Sequence, residues 1–210
     1  MKIISHRGFW IKNFEKNTIS AFERSFELGL GTETDLRDFD GQLVISHDIA
    51  TKDSLSLSKF FKLYSQYPNS KLMPLALNIK ADGLAYKLND ELSKFKELDF
   101  FVFDMSIPDM KSYFEFDIPV FTRISEVELN PIWLDKSHGI WLDSFEKNWF
   151  DKIFLSELLS LDKRVCIVSS ELHSRNQIQQ WELIYEFRDA ENLILCTDFP
   201  QLALEYFKLK

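Results

Sequence analysis

The chain has 210 residues, 45% of them apolar and 15% aromatic with twenty Phe, which is enough for one well-buried domain core and too apolar for a disordered segment. The net charge of −8, with no block of Lys or Arg, argues against nucleic acid or an anionic membrane as a partner held by broad attraction. No apolar stretch approaches the roughly twenty residues that a helix needs to cross a bilayer, so no integral membrane segment is expected.

Taken in chain order, short apolar runs alternate with longer amphipathic ones. Strands are expected at residues 2–6 (KIISH), 31–36 (GTETDL) and, after a turn at Asp40-Gly41, 42–47 (QLVISH). Further strands are expected at 73–80 (MPLALNIK), 100–105 (FFVFDM), 118–124 (IPVFTRI), 139–144 (GIWLDS), 164–170 (RVCIVSS) and 192–198 (NLILCTD). Helices are expected at 17–29, 56–67, 83–98, 107–116, 145–161, 174–187 and 200–209, with an irregular connection between the strands at 118–124 and 139–144. Asn17 or Thr18 can cap the first helix and Gly29 suits its C-terminal end. In the helix at 145–161, Phe150, Phe154, Leu158 and Leu161 keep a helical spacing that reads as core packing.

About eight strand–helix units of roughly 25 residues each point to an α/β fold with a parallel sheet, and eight such units close naturally into a (β/α)8 barrel. No linker or Pro/Gly-rich boundary divides the chain, so residues 1–210 are expected to form one domain. The N-terminus MKIISHRG is too short in apolar residues for a secretory signal. Cys166 and Cys196 lie in separate apolar runs and read as buried reduced thiols, which together with the N-terminus suggests a cytoplasmic location.

In a barrel, the loops after the C-terminal strand ends build the site. Those ends carry His6-Arg7, Glu33 and Asp35, His47-Asp48, Asn78 and Lys80, Asp104, Arg123, Asp143, Glu171 and His173, and Asp198. Period-two alternation puts Glu33 with Asp35, and Asn78 with Lys80, on one face. Two carboxylates on one face are costly unless a proton or cation lies between them, and oxygen ligands suit Mg²⁺ or Ca²⁺. Singly, a Glu-x-Asp is usually a solvated sheet edge and a lone His at a strand end usually a structural one; together, and in this order, they form a pattern.

That pattern resembles the glycerophosphodiester phosphodiesterase family, whose members carry His-Arg-Gly, Asn-Thr, Ala-Phe, Glu-x-Asp, Asp-Gly and His-Asp in sequence. Here these read HRG (6–8), NT (17–18), AF (21–22), ETD (33–35), DG (40–41) and HD (47–48), followed by NIK (78–80) and CTDFP (196–200). The resemblance implies a TIM barrel, a divalent cation, and hydrolysis of a glycerol- or polyol-type phosphodiester through attack by an adjacent hydroxyl. It implies His6 and His47 as the acid–base pair, Glu33, Asp35 and Asn78 as metal ligands, and Arg7 and Lys80 on phosphate oxygens. The substrate would be a small-molecule or glycan-linked phosphodiester.

Three places depart from the family pattern. Its Pro-Glu-Asn-Thr is replaced by Phe14-Glu15-Lys16-Asn17-Thr18, so either Lys16 stands for the glutamate or Glu15 serves. The third metal ligand, usually Glu, is Asn78. Only thirty residues separate Asp48 from Asn78, so the barrel is expected to be compact and to lack a large inserted subdomain over the site.

Outside the common pattern lies SSELHSR (169–175). Glu171, His173 and Arg175 there, with Arg123 and Trp141, are candidates for reading the group beyond the phosphate; alternatively Ser174 caps the next helix and Trp141 is a packed aromatic. Two other readings of the whole chain remain: a catalytically impaired phosphodiester-binding protein, weakened at Asn78, and a cyclising phosphodiesterase or lyase. The sequence leaves the oligomeric state open.

Overall fold

In the computed structural model, residues 1–95 and 97–209 are described. Lys96, within the helix expected at 83–98, and Lys210, the last residue of the expected domain, lie outside the described residues.

Eight parallel strands form a ring. They are β1 (Lys2–His6), β2 (Gly31–Phe39), β5 (Leu75–Ile79), β6 (Phe100–Phe103), β7 (Phe121–Ile124), β8 (Gly139–Leu142), β9 (Arg164–Val168) and β10 (Leu193–Thr197). Each pairs in parallel with the next, and β10 returns to β1. Between β6 and β7 the contact narrows to one parallel bridge, Val102 with Val120, where the Val102 N–H donates to Pro119 O at 2.8 Å. The expected barrel is therefore present. It carries an antiparallel flap, β3 (Gln42–Ile45) and β4 (Leu55–Ser56), on the long β2. The β2–β3 turn falls at Asp40 and Gly41, both at positive φ (47° and 77°), the backbone that a two-residue hairpin demands.

Seven α-helices cover the ring among the described residues: α1 (Ile19–Glu27), α2 (Leu57–Tyr64), α3 (Ala85–Leu92), α4 (Ile107–Glu115), α5 (Lys152–Leu159), α6 (Ile178–Ile184) and α7 (Pro200–Phe207). The connection from β7 to β8 has no α-helix among the described residues, in line with its irregular sequence. Side-chain caps mark four helix starts: Thr18, Ser56, Ser106 and Asp151 each accept an N–H from the first turn. Among the described residues no helix is long and apolar enough to cross a membrane.

Two helices start later than expected, and the one expected at 83–98 ends early, at Leu92. The helix expected at 145–161 begins only at Lys152, because Asp151 accepts the Phe154 N–H at 2.9 Å. Phe150 is buried from the preceding loop, Leu155 and Leu158 form the buried face, and Leu161 is 45% exposed. The run 174–187 does not start at Ser174 either. Ser174 sits at φ 58° as the left-handed end of a 3-10 turn, Ser170–His173, and α6 follows after Gln177.

The core has two compartments created by strand alternation. Outward residues such as Leu36, Leu75, Ile140 and Leu195 pack under the helices. Inward residues Ile4, Ala76, Phe101, Phe103, Phe121, Trp141, Cys166, Val168, Ile194 and Cys196 fill the barrel. Phe101 stacks on Phe121 with centroids 3.7 Å apart, and Phe103 on Trp141 at 3.8 Å. The next inward position on these strands is the mouth of the barrel.

Gly31 shows how tight the β2–β5 seam is. A Cβ there would lie 2.0 Å from Pro74 O, whereas one on Gly29, at φ 71°, would meet nothing within 4 Å. Gly31→Ala is expected to cost about 2 kcal/mol or more through overpacking against backbone that cannot yield. Gly29→Ala should cost about 1 kcal/mol, for its left-handed backbone alone. Urea denaturation of both variants checks the order.

Candidate active site

The mouth is built by counting two residues on from the barrel filling: Ile4 leads to His6, Ala76 to Asn78, Phe121 to Arg123, Trp141 to Asp143 and Cys196 to Asp198. On β2, Glu33 and Asp35 face the same way and are 1% and 0% exposed. Asp35 is the register partner of Asn78 on β5, and His6 that of Glu33.

Asp35 is the most heavily engaged group. Asn17 Nδ2 donates to its Oδ2 at 2.8 Å and Arg7 Nε stands 2.9 Å from the same oxygen, an ion-pair distance without in-line N–H geometry. Lys80 Nζ is 3.3 Å from Oδ1. Arg7 and Lys80, expected on phosphate, thus share one buried carboxylate. Asn17 is at φ 60°, and its Oδ1 accepts from Thr34 Oγ1 at 2.8 Å. Thr18 therefore caps α1, while Asn17 ties the β1–α1 loop to β2. Sequence reasoning missed that task, although the NT pair was its signal.

His6 Nδ1 lies 2.7 Å from Asp198 Oδ1 and its Nε2 3.8 Å from Glu33 Oε2. Burial lowers the His6 pKa against the raising effect of Asp198. Burial would raise the Asp198 carboxyl, but the His6 hydrogen bond and charge, with Lys16, outweigh it and the pKa falls. Asp198 is thus a carboxylate, so Nδ1 carries the proton and donates, leaving Nε2 as the basic nitrogen of neutral His6. Sequence reading placed Asp198 at a strand end and in the closing TDFP motif without giving it this role.

Burial, then the charge of Asp35, pushes the Glu33 carboxyl well up. Burial also raises Asp104, opposed by Arg123 and Lys80. Asn78 Nδ2 donates to Asp104 Oδ2 at 3.3 Å, and Arg123 reaches Asp104 Oδ1 at 3.2 Å and Glu128 Oε2 at 3.1 Å.

Three buried oxygens here, Glu33 Oε2, Asp35 Oδ1 and Asn78 Oδ1, have no hydrogen-bond partner among the described residues. Buried acceptors are seldom left without one. Two carboxylate oxygens and an amide oxygen are hard donors, so the residues present fit a cation of the Mg²⁺ or Ca²⁺ type. Among the described residues no three His, Cys, Asp or Glu side chains gather into a cation cage.

His47 follows β3 in the antiparallel flap, outside the ring of parallel strands. Its side chain is 46% exposed, with Nδ1 2.9 Å from Asp48 Oδ1. It lines a cavity of about 960 Å³ together with Arg7, Lys16, Asn17 and Lys52. Glu15 is a loop clamp: its Oε2 accepts from the Ile11 N–H at 2.8 Å, the Lys12 N–H at 3.1 Å and Arg24 at 2.8 Å. Lys16 instead lies 4.0 Å from Asp198 Oδ2.

The expected recognition residues divide. Trp141 is 4% exposed and part of the barrel filling, so it offers no platform. Arg123 is drawn into the Asp104–Glu128 pairs. His173 Nε2 is 2.7 Å from Asp143 Oδ1, and Arg175 holds Asn148 Oδ1 at 3.1 Å and the Ser144 carbonyl. Glu171 accepts from Thr197 Oγ1 at 2.5 Å, the Asp198 N–H at 3.0 Å and the Ser169 hydroxyl. Both its oxygens are taken by donors of the protein.

No family model matches the sequence, and no curated protein does. Solved structures do match. A glycerophosphodiester phosphodiesterase from Agrobacterium tumefaciens is similar with a TM-score of 0.69 and 13% identity, over 98% of this chain and 99% of that one. A glycerophosphoryl diester phosphodiesterase from Parabacteroides distasonis has a TM-score of 0.70 and 14% identity, over 99% and 86%. Xanthomonas albilineans dihydropteroate synthase follows with a TM-score of 0.54 and 10% identity, over 99% and 90%. The barrel fold is thus shared with these two solved structures over nearly the whole chain.

Asp35 supports the mouth as well as any ligand there. Asp35→Asn should leave Arg7 and Lys80, 20% and 22% exposed, without their shared counter-ion. A loss of about 3 kcal/mol in unfolding free energy is expected, as when one partner of a buried pair is removed. Denaturation of this variant beside Lys80→Met, which should cost less, is the check.

Proposed function

We propose that this chain is a phosphoric diester hydrolase acting on glycerol- or polyol-type phosphodiesters. The observation that carries the reading is the oriented His6–Asp198 pair beside three oxygens of Glu33, Asp35 and Asn78 that make no hydrogen bond, with Arg7 and Lys80 ion-paired to the Asp35 carboxylate. The likeness of fold to two proteins named as such phosphodiesterases, and the ordered motifs, support it.

In this reading Glu33, Asp35 and Asn78 hold a divalent cation, Mg²⁺ or Ca²⁺, which when bound supplies charge stabilisation to the phosphoryl oxygens. Arg7 and Lys80 neutralise Asp35 in the free protein and lie close enough to turn toward a phosphate, Arg7 as a planar donor and Lys80 as a point charge. His6 Nε2 takes the proton from a substrate hydroxyl next to the phosphodiester. That oxygen attacks phosphorus, the bond to the departing alcohol breaks, and His47 returns a proton to its oxygen. Water then opens the cyclic phosphate with the two imidazoles exchanging roles. Intramolecular attack gains a large effective molarity, which is why the neighbouring hydroxyl matters.

The substrate is a small-molecule or glycan-linked phosphodiester, and the two buried free thiols, Cys166 and Cys196, support a cytoplasmic setting. A panel of glycerophosphodiesters followed by phosphorus NMR, with and without chelator, tests the activity. His6→Ala and His47→Ala should each lower kcat by about 10²-fold or more. A variant within threefold of wild type would remove that histidine from the reaction. Cleavage of a 2-deoxy or O-methyl analogue at the full rate would replace the internal hydroxyl by direct attack of water.

A second expectation concerns the amide. Asn78→Glu should tighten Mg²⁺ or Ca²⁺ binding in titration calorimetry, because charge count sets affinity in oxygen sites. Unchanged affinity would take Asn78 out of the ligand set.

A further inference from the structure

Glu171 lies outside the chemistry just described, in the 3-10 turn Ser170–His173 after β9. Its carboxylate nevertheless joins two strand ends to the catalytic histidine. Trp181 Nε1, fully buried on α6, donates to Ser169 Oγ at 2.8 Å, and the Ser169 hydroxyl donates to Glu171 Oε2. The other oxygen, Oε1, accepts from Thr197 Oγ1 at 2.5 Å and from the Asp198 N–H at 3.0 Å. Asp198 Oδ1 in turn accepts from His6 Nδ1 at 2.7 Å. The connection therefore runs unbroken from the helix layer to the imidazole, and Ser169 and Thr197 along it are 0% exposed.

We propose that Glu171 is a positioning residue for His6: it anchors the Thr197–Asp198 backbone, which aims the Asp198 carboxylate that fixes the tautomer and direction of the His6 ring. The proposal rests on the reading of His6 as an acid–base group, and it replaces substrate contact as the role of Glu171.

The physical case is one of degrees of freedom. Asp198 follows the last residue of β10, where strand pairing no longer holds the chain, and its side chain reaches His6 through rotatable bonds. One carboxylate oxygen accepting both the Asp198 N–H and the Thr197 hydroxyl removes most of that freedom. The Thr197 Oγ1 also accepts the Phe199 N–H at 3.0 Å, so the turn into α7 is fixed on both sides of Asp198. A catalytic group gains from partners whose own geometry is locked, because small misplacements are expensive in rate.

The role has a signature that plain structural support lacks. A carboxamide keeps an acceptor oxygen for the Thr197 hydroxyl and the Asp198 N–H, while its NH2 can donate to Ser169 Oγ. Glu171→Gln should therefore keep kcat within about threefold of wild type. Glu171→Ala strands the Asp198 N–H and the buried hydroxyls of Thr197 and Ser169 and should lower kcat by roughly tenfold to a hundredfold, with KM within twofold. In the His6→Ala background, Glu171→Ala should lower kcat no further, because the two act as one unit.

The deciding measurement combines these kinetics with NMR of the His6 ring. In wild type and Glu171→Gln, the His6 Nδ1–H should resonate far downfield, as expected of a short bond to a carboxylate, and Glu171→Ala should lose or shift that signal. Should the chain hydrolyse no phosphodiester, the ring signal still tests the positioning by itself. An unchanged signal in Glu171→Ala, additive losses with His6→Ala, or a KM effect on some diesters and not others would overturn the proposal.

Discussion

Inside an eight-stranded parallel barrel each strand can aim only every second residue at the axis. Apolar side chains use those inward positions up to the level of Phe103, Trp141 and Cys196. One step further along the same strands the interior opens, and the inward positions are His6, Asn78, Arg123, Asp143 and Asp198. This alternation makes the site a continuation of the core. The stacked pairs Phe101–Phe121 and Phe103–Trp141 form a solid floor, so the charged groups above cannot sink and must satisfy one another.

How they do so explains the geometry. Asp35, 0% exposed, is matched by Arg7, Lys80 and the amide of Asn17. Asp198 is matched by His6, and Asp104 by Arg123 and Asn78. Glu33 has no Lys or Arg at ion-pair distance among the described residues, only His6 Nε2 at 3.8 Å, and burial pushes its carboxyl toward the protonated form. A buried carboxyl of this kind is held by a proton or by a cation. Its Oε2, like Asp35 Oδ1 and Asn78 Oδ1, makes no hydrogen bond among the described residues.

Much of this could be read from the residues. The strands were legible because their apolar runs are short and bounded by turn signals, and Asp40-Gly41 marks its hairpin without ambiguity. The helix expected from residue 145 was not, since Phe150 keeps helical spacing from outside the helix; its start is decided by the side chain of Asp151, a local bond that periodicity does not register. Trp141 was open to two readings because burial inside a barrel depends on strand depth, which no one-dimensional pattern carries. Glu171 and Asn17 show the same limit. Each is a polar residue in a loop, and its partners, Asp198 for one and Asp35 for the other, lie 27 and 18 residues away. Glu33 and Asp35 were legible as a pair because alternation puts them on one face; Asn78 joined them only through the family resemblance, and it is the β2–β5 pairing that sets it beside Asp35.

The central claim is that these three oxygens, beside His6, form one cation site at the barrel mouth. Anomalous diffraction from crystals soaked in millimolar Mn²⁺ tests it most directly, since Mn²⁺ takes the oxygen ligands of Mg²⁺ and scatters strongly. The account predicts one dominant peak, at about 2.0–2.5 Å from oxygens of Glu33, Asp35 and Asn78, and lost in Glu33→Ala. A dominant peak elsewhere, or no peak at this mouth from a protein whose phosphodiesterase activity survives chelation, would contradict it.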